Sequence, residues 1–257
     1  MSFFVDIVTE DSFYENLTLG VVKQLETNTC IKNVKVERKL ACERSVLSSW
    51  EQRNCCLLPD DLKSFYASID GFSLTWSLDI AGEEFPIGKM NINEFGELKR
   101  FIGTKEQQND TDSMCNDDID LPTFGTTCKL FEIDECDNCK IYLVYFIRPD
   151  FDTEPSIWLF NNKIKPGWYK LADNFTKYFR MMLVHIGLPY WQLCVTELSL
   201  PTWVEQIYYL VGPHLLPDTV KTSDTITDTL WKDGPLNTID SGIFKSRDNK
   251  QKNSRKK

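Results

Sequence analysis

The chain lacks any apolar run approaching eighteen residues, so no membrane-spanning helix is expected. Its opening, MSFFVDIVTED, places acids where a secretory leader carries basic residues ahead of a longer apolar stretch. Both absences predict a cytosolic protein. Neither G-x-G-x-x-G nor G-x-x-x-x-G-K-[ST] occurs, which removes the glycine-rich turns that cradle nucleotide phosphates. Histidine is scarce: His185 and His214 are the only two, leaving little material for a Ser-His-Asp or Cys-His catalytic arrangement. Positive charge is short as well. Acids outnumber Lys and Arg by 38 to 29, and a net charge of −9 opposes binding to nucleic acid or to an anionic membrane.

Cysteine is present, nine times over, but an odd count at irregular spacing suits reduced thiols better than a disulfide framework. Cys136-Asp-Asn-Cys139 is the one local pattern that could carry chemistry, since two thiolates three residues apart can share a metal or close a redox disulfide. A zinc site wants a second pair, and Cys115 and Cys128 lie at irregular spacing. A redox motif opens a helix, whereas this one joins two strand candidates, KLFEIDE and KIYLVYF. A hairpin turn is the favoured reading. No catalytic residue, cofactor or metal is therefore assigned.

What is there is a body able to bury a core: 257 residues, of which 42% are apolar. Residues 12–26 read as a helix with Tyr14, Leu17, Val21, Val22 and Leu25 at helical spacing and Gly20 as a weak point. A short strand around Val34 and Val36 follows, then a helix that Ser45 could cap, with Val46, Leu47 and Trp50 on one side. In LLPDDLKSFYASIDG, Pro59 presets the first turn, Asp60 and Asp61 meet the positive end of the helix dipole, and Gly71 suits a left-handed exit. Leu62, Phe65, Tyr66 and Ile69 form its apolar stripe. Alternation of Phe72, Leu74, Trp76, Leu78 and Ile80 marks a half-buried strand, with a second near PIGKMNI.

Residues 103–120 hold six acids and almost no apolar side chains, and read as a mobile acidic insert. After the two strands around Cys136 comes SIWLF, a third. WYKLADNFTKYFRMMLVHIGLP gives a strong amphipathic helix, with Asp173 or Asn174 near its start, Gly187 at its stop, and Phe175, Tyr178, Phe179, Met182, Leu183 and Ile186 along one stripe. A last helix covers TWVEQIYYLV, entered through Ser199 and Pro201.

Past Pro213 apolar periodicity stops, and an extended arm with a disordered basic end is expected. Residues 245–257 hold seven basic side chains against Asp248, so residues 1–244 sum to −15. Those basic residues, Lys245, Arg247, Lys250, Lys252, Arg255, Lys256 and Lys257, offer point charges for an acidic partner. Tyr190, Trp191 and Trp203 are candidate aromatic anchors for a partner, although core packing is the commoner fate of such residues.

The segment LLPDDLKSFYASIDGFSLTW, an L-P-x-D helix ending in Asp-Gly-Phe and running into a Trp-bearing strand, resembles the hallmark of the SMI1/KNR4 (SUKH) superfamily. With SSWEQRN ahead of it, PIGKMNIN behind it and DNFTKYFRMMLVHIGLPYWQ later, the likeness narrows to a family of accessory subunits of the tubulin polyglutamylase complex, over roughly residues 17–198. FKSRDNK is similar to that family's lysine-rich tail. The resemblance implies an α+β domain at 12–212, with a mixed or mostly antiparallel sheet and helices packed around it. A flexible N-terminus (1–11) and the arm (213–257) flank it. It further implies a non-catalytic scaffold for other complex subunits, including a tubulin tyrosine ligase-like catalytic chain, and an indirect link to tubulin and microtubules. The implied location is the cytoplasm and cytoskeleton: microtubules, the centrosome and its satellites, or the cilium base.

Overall fold

The first helix expected from the sequence is two. In the computed structural model, α1 (Glu10–Leu17) and α2 (Val21–Thr27) are separated by a reversal in which Leu19 and Gly20 both take positive φ. The Gly20 N–H bonds back to the Glu15 carbonyl at 3.0 Å and Thr18 Oγ1 donates to the Tyr14 carbonyl, which satisfies the last-turn acceptors and ends the helix there. Residues described are 10–103, 121–125, 127–136, 139–147, 154–161, 163, 167–196 and 198–216. The expectations for residues 1–9, for nearly all of the acidic insert and for the basic arm lie outside them.

Strand β1 (Ile31–Val36) is followed by α3 (Arg44–Asn54) and α4 (Asp60–Tyr66). Ser45 does not cap α3. Glu43 holds the N-cap position, and Ser45 Oγ instead donates to the Glu43 carboxylate at 3.2 Å. Pro59 sits at the N-cap of α4, one position before the first turn. The stripe Leu62, Phe65, Tyr66 and Ile69 is buried as its spacing predicts. Gly71, at φ +82, makes the turn into β2, where a Cβ would lie 2.8 Å from the Ile92 carbonyl. The preceding Asp70 accepts from the Phe95 N–H at 2.7 Å, and Tyr66 donates to the Asn93 carbonyl. The Asp-Gly-Phe segment is thus the joint that fastens α4 to the far end of β3.

β2 (Phe72–Ile80) and β3 (Glu83–Ile92) pair antiparallel, and β1 completes a three-stranded sheet in the order β1-β2-β3. Phe72, Leu74, Trp76 and Leu78 are buried on one face, while Ile80 at the hairpin end is exposed. The second sheet is a meander, β4 (Arg100–Phe101), β5 (Cys128–Cys136), β6 (Cys139–Phe146), β7 (Ser156–Asn161) and β8 (Trp168–Ala172), every neighbour antiparallel. All described pairings are antiparallel, in two sheets rather than one. WYKLA, read as the lead-in to a helix, is the edge strand β8. The sheets meet where the Asn93 N–H donates to the Ile133 carbonyl at 2.8 Å, on the stretch of β5 that short β4 leaves uncovered.

One face of the five-stranded sheet carries Leu130, Tyr142, Val144, Trp158 and Trp168, closed over by Phe101 and Phe124. Six ring contacts between 4.6 and 5.9 Å tie this layer together, the offset and edge-on packing that aromatic quadrupoles favour. The opposite face receives the helices. Trp50 of α3 packs on Phe131 at 4.6 Å and donates to the Leu98 carbonyl. Helix α5 (Phe175–Val184) buries Phe175, Tyr178, Phe179, Met182 and Leu183, with Phe175 and Phe179 against Phe65 of α4. Helix α6 (Thr202–Val211) covers the span that its sequence predicts.

Candidate partner-binding cavity

A bulge in β5 decides which acid faces the helices. Strict alternation from Phe131 would bury Ile133 and Glu135 and leave Asp134 in solvent. The β5–β6 register slips between Glu132 and Asp134, so that Asp134 opposes Ile141 and the buried pattern becomes Phe131, Ile133, Asp134, Cys136, with Glu135 exposed. One extra residue thereby re-aims the rest of the strand. Asp134, 3% exposed, accepts from the Tyr178 hydroxyl at 2.9 Å, from the Glu135 N–H at 2.8 Å and from the Asn91 amide at 3.4 Å.

The facing wall is the end of α5. His185 closes the helix, and Ile186, Gly187 and Tyr190 follow at φ +50, +67 and +56. Gly187 is required there: a Cβ would lie 2.6 Å from Met90 Cγ and 2.8 Å from the Lys89 backbone. Two hydrogen bonds fasten this turn to the first sheet. The Lys89 N–H donates to the Gly187 carbonyl and the Trp76 indole donates to the Ile186 carbonyl, each at 2.8 Å. The indole reaches across β3 because residue 88 is glycine; a Cβ at that position would sit 1.8 Å from Trp76 Nε1. Tyr190 then starts a 3₁₀ turn, Trp191–Val195, and meets Trp203 of α6 edge-on at 6.1 Å.

Between these walls lies a cavity of about 460 Å³, lined by Lys89 and Asn91 of β3, Asp134, Glu135 and Cys136 of β5, and the stretch from Gly187 to Gln192, with Trp203 at its rim. Burial pushes the Asp134 carboxyl up to about 7, although the Tyr178 hydroxyl, the Glu135 N–H, the Asn91 amide and the Lys89 charge all favour its ionised form. The same burial drives the Tyr178 hydroxyl well above its ordinary value and pushes His185 down to about 4. His185 stacks on Trp191 at 5.7 Å, and its Nδ1 has no partner among the described residues. Gln192, 3% exposed, hydrogen-bonds the Tyr178 hydroxyl, while its Oε1 meets no donor among the described residues.

The structure brings together the three aromatic candidates from the sequence and gives them different parts. Trp203 is 51% exposed and Tyr190 half-buried, so both offer surface. Trp191, 2% exposed, is packed between Tyr178 and His185 and lines the cavity from within. Helix α6 extends the exposed aromatic and apolar surface from Trp203 to Tyr209 and Leu210. Lys245, Arg247, Lys250, Lys252, Arg255, Lys256 and Lys257 lie outside the described residues. Cys136 and Cys139 oppose each other in the β5–β6 register, both buried and not joined as a disulfide. Among the described residues no group of three His, Cys, Asp or Glu is placed to hold a metal, and no helix is long and apolar enough to cross a membrane. Asp134, Gln192 and Asn91 are the residues that sequence reasoning passed over. The only signal for Asn91 and Gln192 was their presence in the PIGKMNIN and LPYWQ blocks, and Asp134 had none.

The profile of the SMI1 / KNR4 family (SUKH-1) matches residues 42–181, from just ahead of α3 into α5. Three curated proteins named tubulin polyglutamylase complex subunit 2 are similar along 91% of this chain. The mouse protein is 31% identical over 248 residues, the rat protein 32% over 248, and the human protein 31% over 247. The alignments cover 81%, 81% and 79% of those proteins respectively. No solved structure matches. The family match takes in the β3 and β5 walls of the cavity and stops before the Gly187–Gln192 wall.

Proposed function

We propose, since this chain belongs to the SMI1 / KNR4 family (SUKH-1), that it is an accessory subunit of a tubulin polyglutamylase complex. It holds other subunits by its aromatic surface while a separate tubulin tyrosine ligase-like chain joins glutamate to tubulin. The observation that carries this reading is the 31–32% identity along 91% of the chain to proteins named as subunit 2 of that complex. The surface around Tyr190, Trp203, Tyr209 and Leu210 supports it, because exposed large aromatics are the residue types that anchor protein interfaces.

Electrostatics assigns the parts. Residues 1–244 at −15 repel an acidic tubulin tail, so the body meets subunits, and the basic residues 245–257 are the segment suited to tubulin or an acidic neighbour. The location that follows is the cytoplasm, on microtubules and at the centrosome or cilium base. Affinity purification of the tagged full chain from ciliated cells tests this, followed by a glutamylation assay with and without it. Stoichiometric recovery of a ligase-like chain, and loss of glutamylation on depletion, are expected. Turnover by the isolated chain, or stoichiometric partners unrelated to tubulin, would overturn the reading. Deleting 245–257 is expected to weaken microtubule binding at low salt and to leave subunit recovery intact.

A further inference from the structure

The cavity between β3, β5 and the Gly187–Gln192 wall is built of acceptors whose local donors are already committed. The Asn91 amide nitrogen donates to Asn93 Oδ1 and to Asp134. The Tyr178 hydroxyl donates to Asp134, and Gln192 bonds the Tyr178 hydroxyl. What remains is Gln192 Oε1, buried and unmet among the described residues, on a residue that lines the same cavity as Asp134 and Glu135. A buried acceptor without a donor is destabilising, and such a group calls for a partner.

Three chemistries could supply one. An anion is disfavoured, because Asp134 and the Gln192 carbonyl offer acceptors only, Glu135 is already held by Lys140 at 2.9 Å, and Lys89 is the one basic residue in the lining. A neutral apolar side chain would leave Gln192 Oε1 unmet. A cation with several donors answers the acceptors, and the Tyr190–Trp203 corner at the rim offers π faces of the kind that attract such a group. A guanidinium is better suited than an ammonium, since its planar fork presents five donors and stacks on aromatic rings. The acidic body, −15 over residues 1–244, favours approach of a basic partner segment.

We infer that this cavity is a socket for an arginine side chain carried on a segment of a partner subunit. Its guanidinium meets Asp134 and Gln192 Oε1, and its entry is flanked by Tyr190 and Trp203. The inference rests on the reading of the chain as a complex subunit and names the chemistry of one contact within it.

The test is an NMR titration of the isotope-labelled full chain with Ac-Gly-Arg-Gly-NH₂ and with its lysine, citrulline and glutamate counterparts. Shifts confined to residues 187–192, the Gln192 side-chain amide and the Trp203 indole are expected with the arginine peptide. The lysine peptide should bind about fivefold more weakly or less, and citrulline and glutamate not measurably. Gln192→Leu and Trp203→Ala should each weaken the arginine peptide several-fold, and Asp134→Asn, checked for an intact amide spectrum, should abolish the shifts. Lys89→Gln decides the sign of the site: removing a competing cation should strengthen the arginine peptide a few-fold. Stronger binding of the glutamate peptide, weakening by Lys89→Gln, or absence of confined shifts would overturn the socket. Subunit recovery is scored separately. Recovery of the complex with no peptide response sinks the socket alone, and a peptide response with no complex sinks the subunit reading alone.

Discussion

The two ends of α5 are built by opposite rules. At its start the exposed donors are met: Asn174 Oδ1 accepts from the Lys177 N–H at 2.8 Å, and Asp61, from α4, accepts from both the N–H and the hydroxyl of Thr176. Asp173 pairs with Lys170 and Lys177 at 2.9 and 3.0 Å, and these two cations hold its carboxyl at about 2. At its end stand two left-handed residues in succession, a strained tyrosine, and a histidine nitrogen and a glutamine oxygen that are unmet among the described residues. A helix start so fully satisfied serves stability. An end that retains strain and orphaned groups serves recognition, because natural chains keep such costs mainly where a site needs them.

The largest expected effect is at the strained end. Gly187→Ala combines a left-handed residue with a Cβ driven onto the Lys89 backbone and Met90. It should cost about 3 kcal/mol or more in urea unfolding, since both strain and overpacking apply. A loss below about 1 kcal/mol would mean that the turn relaxes freely.

Next comes a pair of opposed pH dependences. Asp134, raised to about 7, holds its proton in the native state when the unfolded chain has lost it, so its contribution falls as pH rises from about 4 to 7. His185, lowered to about 4, is neutral in the native state when the unfolded chain is charged, so its contribution rises between about 4 and 6.5. Each slope is about 1.4 kcal/mol per pH unit, and across about pH 4 to 6.5 they offset. Asp134→Asn should therefore unmask a stability that climbs with pH in that window, and His185→Gln one that declines up to pH 7. Unfolding midpoints measured at four or five pH values distinguish these; parallel curves for both variants would remove the account.

At the satisfied start, Asn174→Ala should cost about 1 kcal/mol, the usual worth of an N-cap, and leave the arginine-peptide shifts unchanged. Smallest of all, Asp173→Asn should change stability by less than about 0.5 kcal/mol, because both its pairs are exposed and screened. Even that difference should fade in high salt.

The regular parts of this fold are legible because a single signal governs each. The period-two run from Phe72 to Leu78 is buried as written, and TWVEQIYYLV spans α6 from end to end. The errors fall where two signals compete. Gly20 outweighs the helical periodicity on either side of it, and WYKLA, only five residues long and adjoining Asp173, gives way to the stronger period of the helix behind it. Asp134 was invisible for a sharper reason. Its inward position depends on the slip at Ile133, which no pattern within CKLFEIDEC announces and which the partner strand settles. Tyr190 and Trp203 could be singled out by residue type alone, but the groups beside them, Gln192 and Asn91, acquire meaning only when α5 closes against the sheet.

The Trp76 indole bonded across Gly88 to the Ile186 carbonyl, with the Lys89 N–H on the next carbonyl, has a consequence for recognition. It clasps the loop to the sheet before any visitor arrives. A guest would thus find the mouth of the socket already set and forfeit little freedom in organising it, so selectivity would rest on which head group fits rather than on how far the host can bend. A tryptophan emission reporting from that clasp should stay quiet while the guest comes and goes.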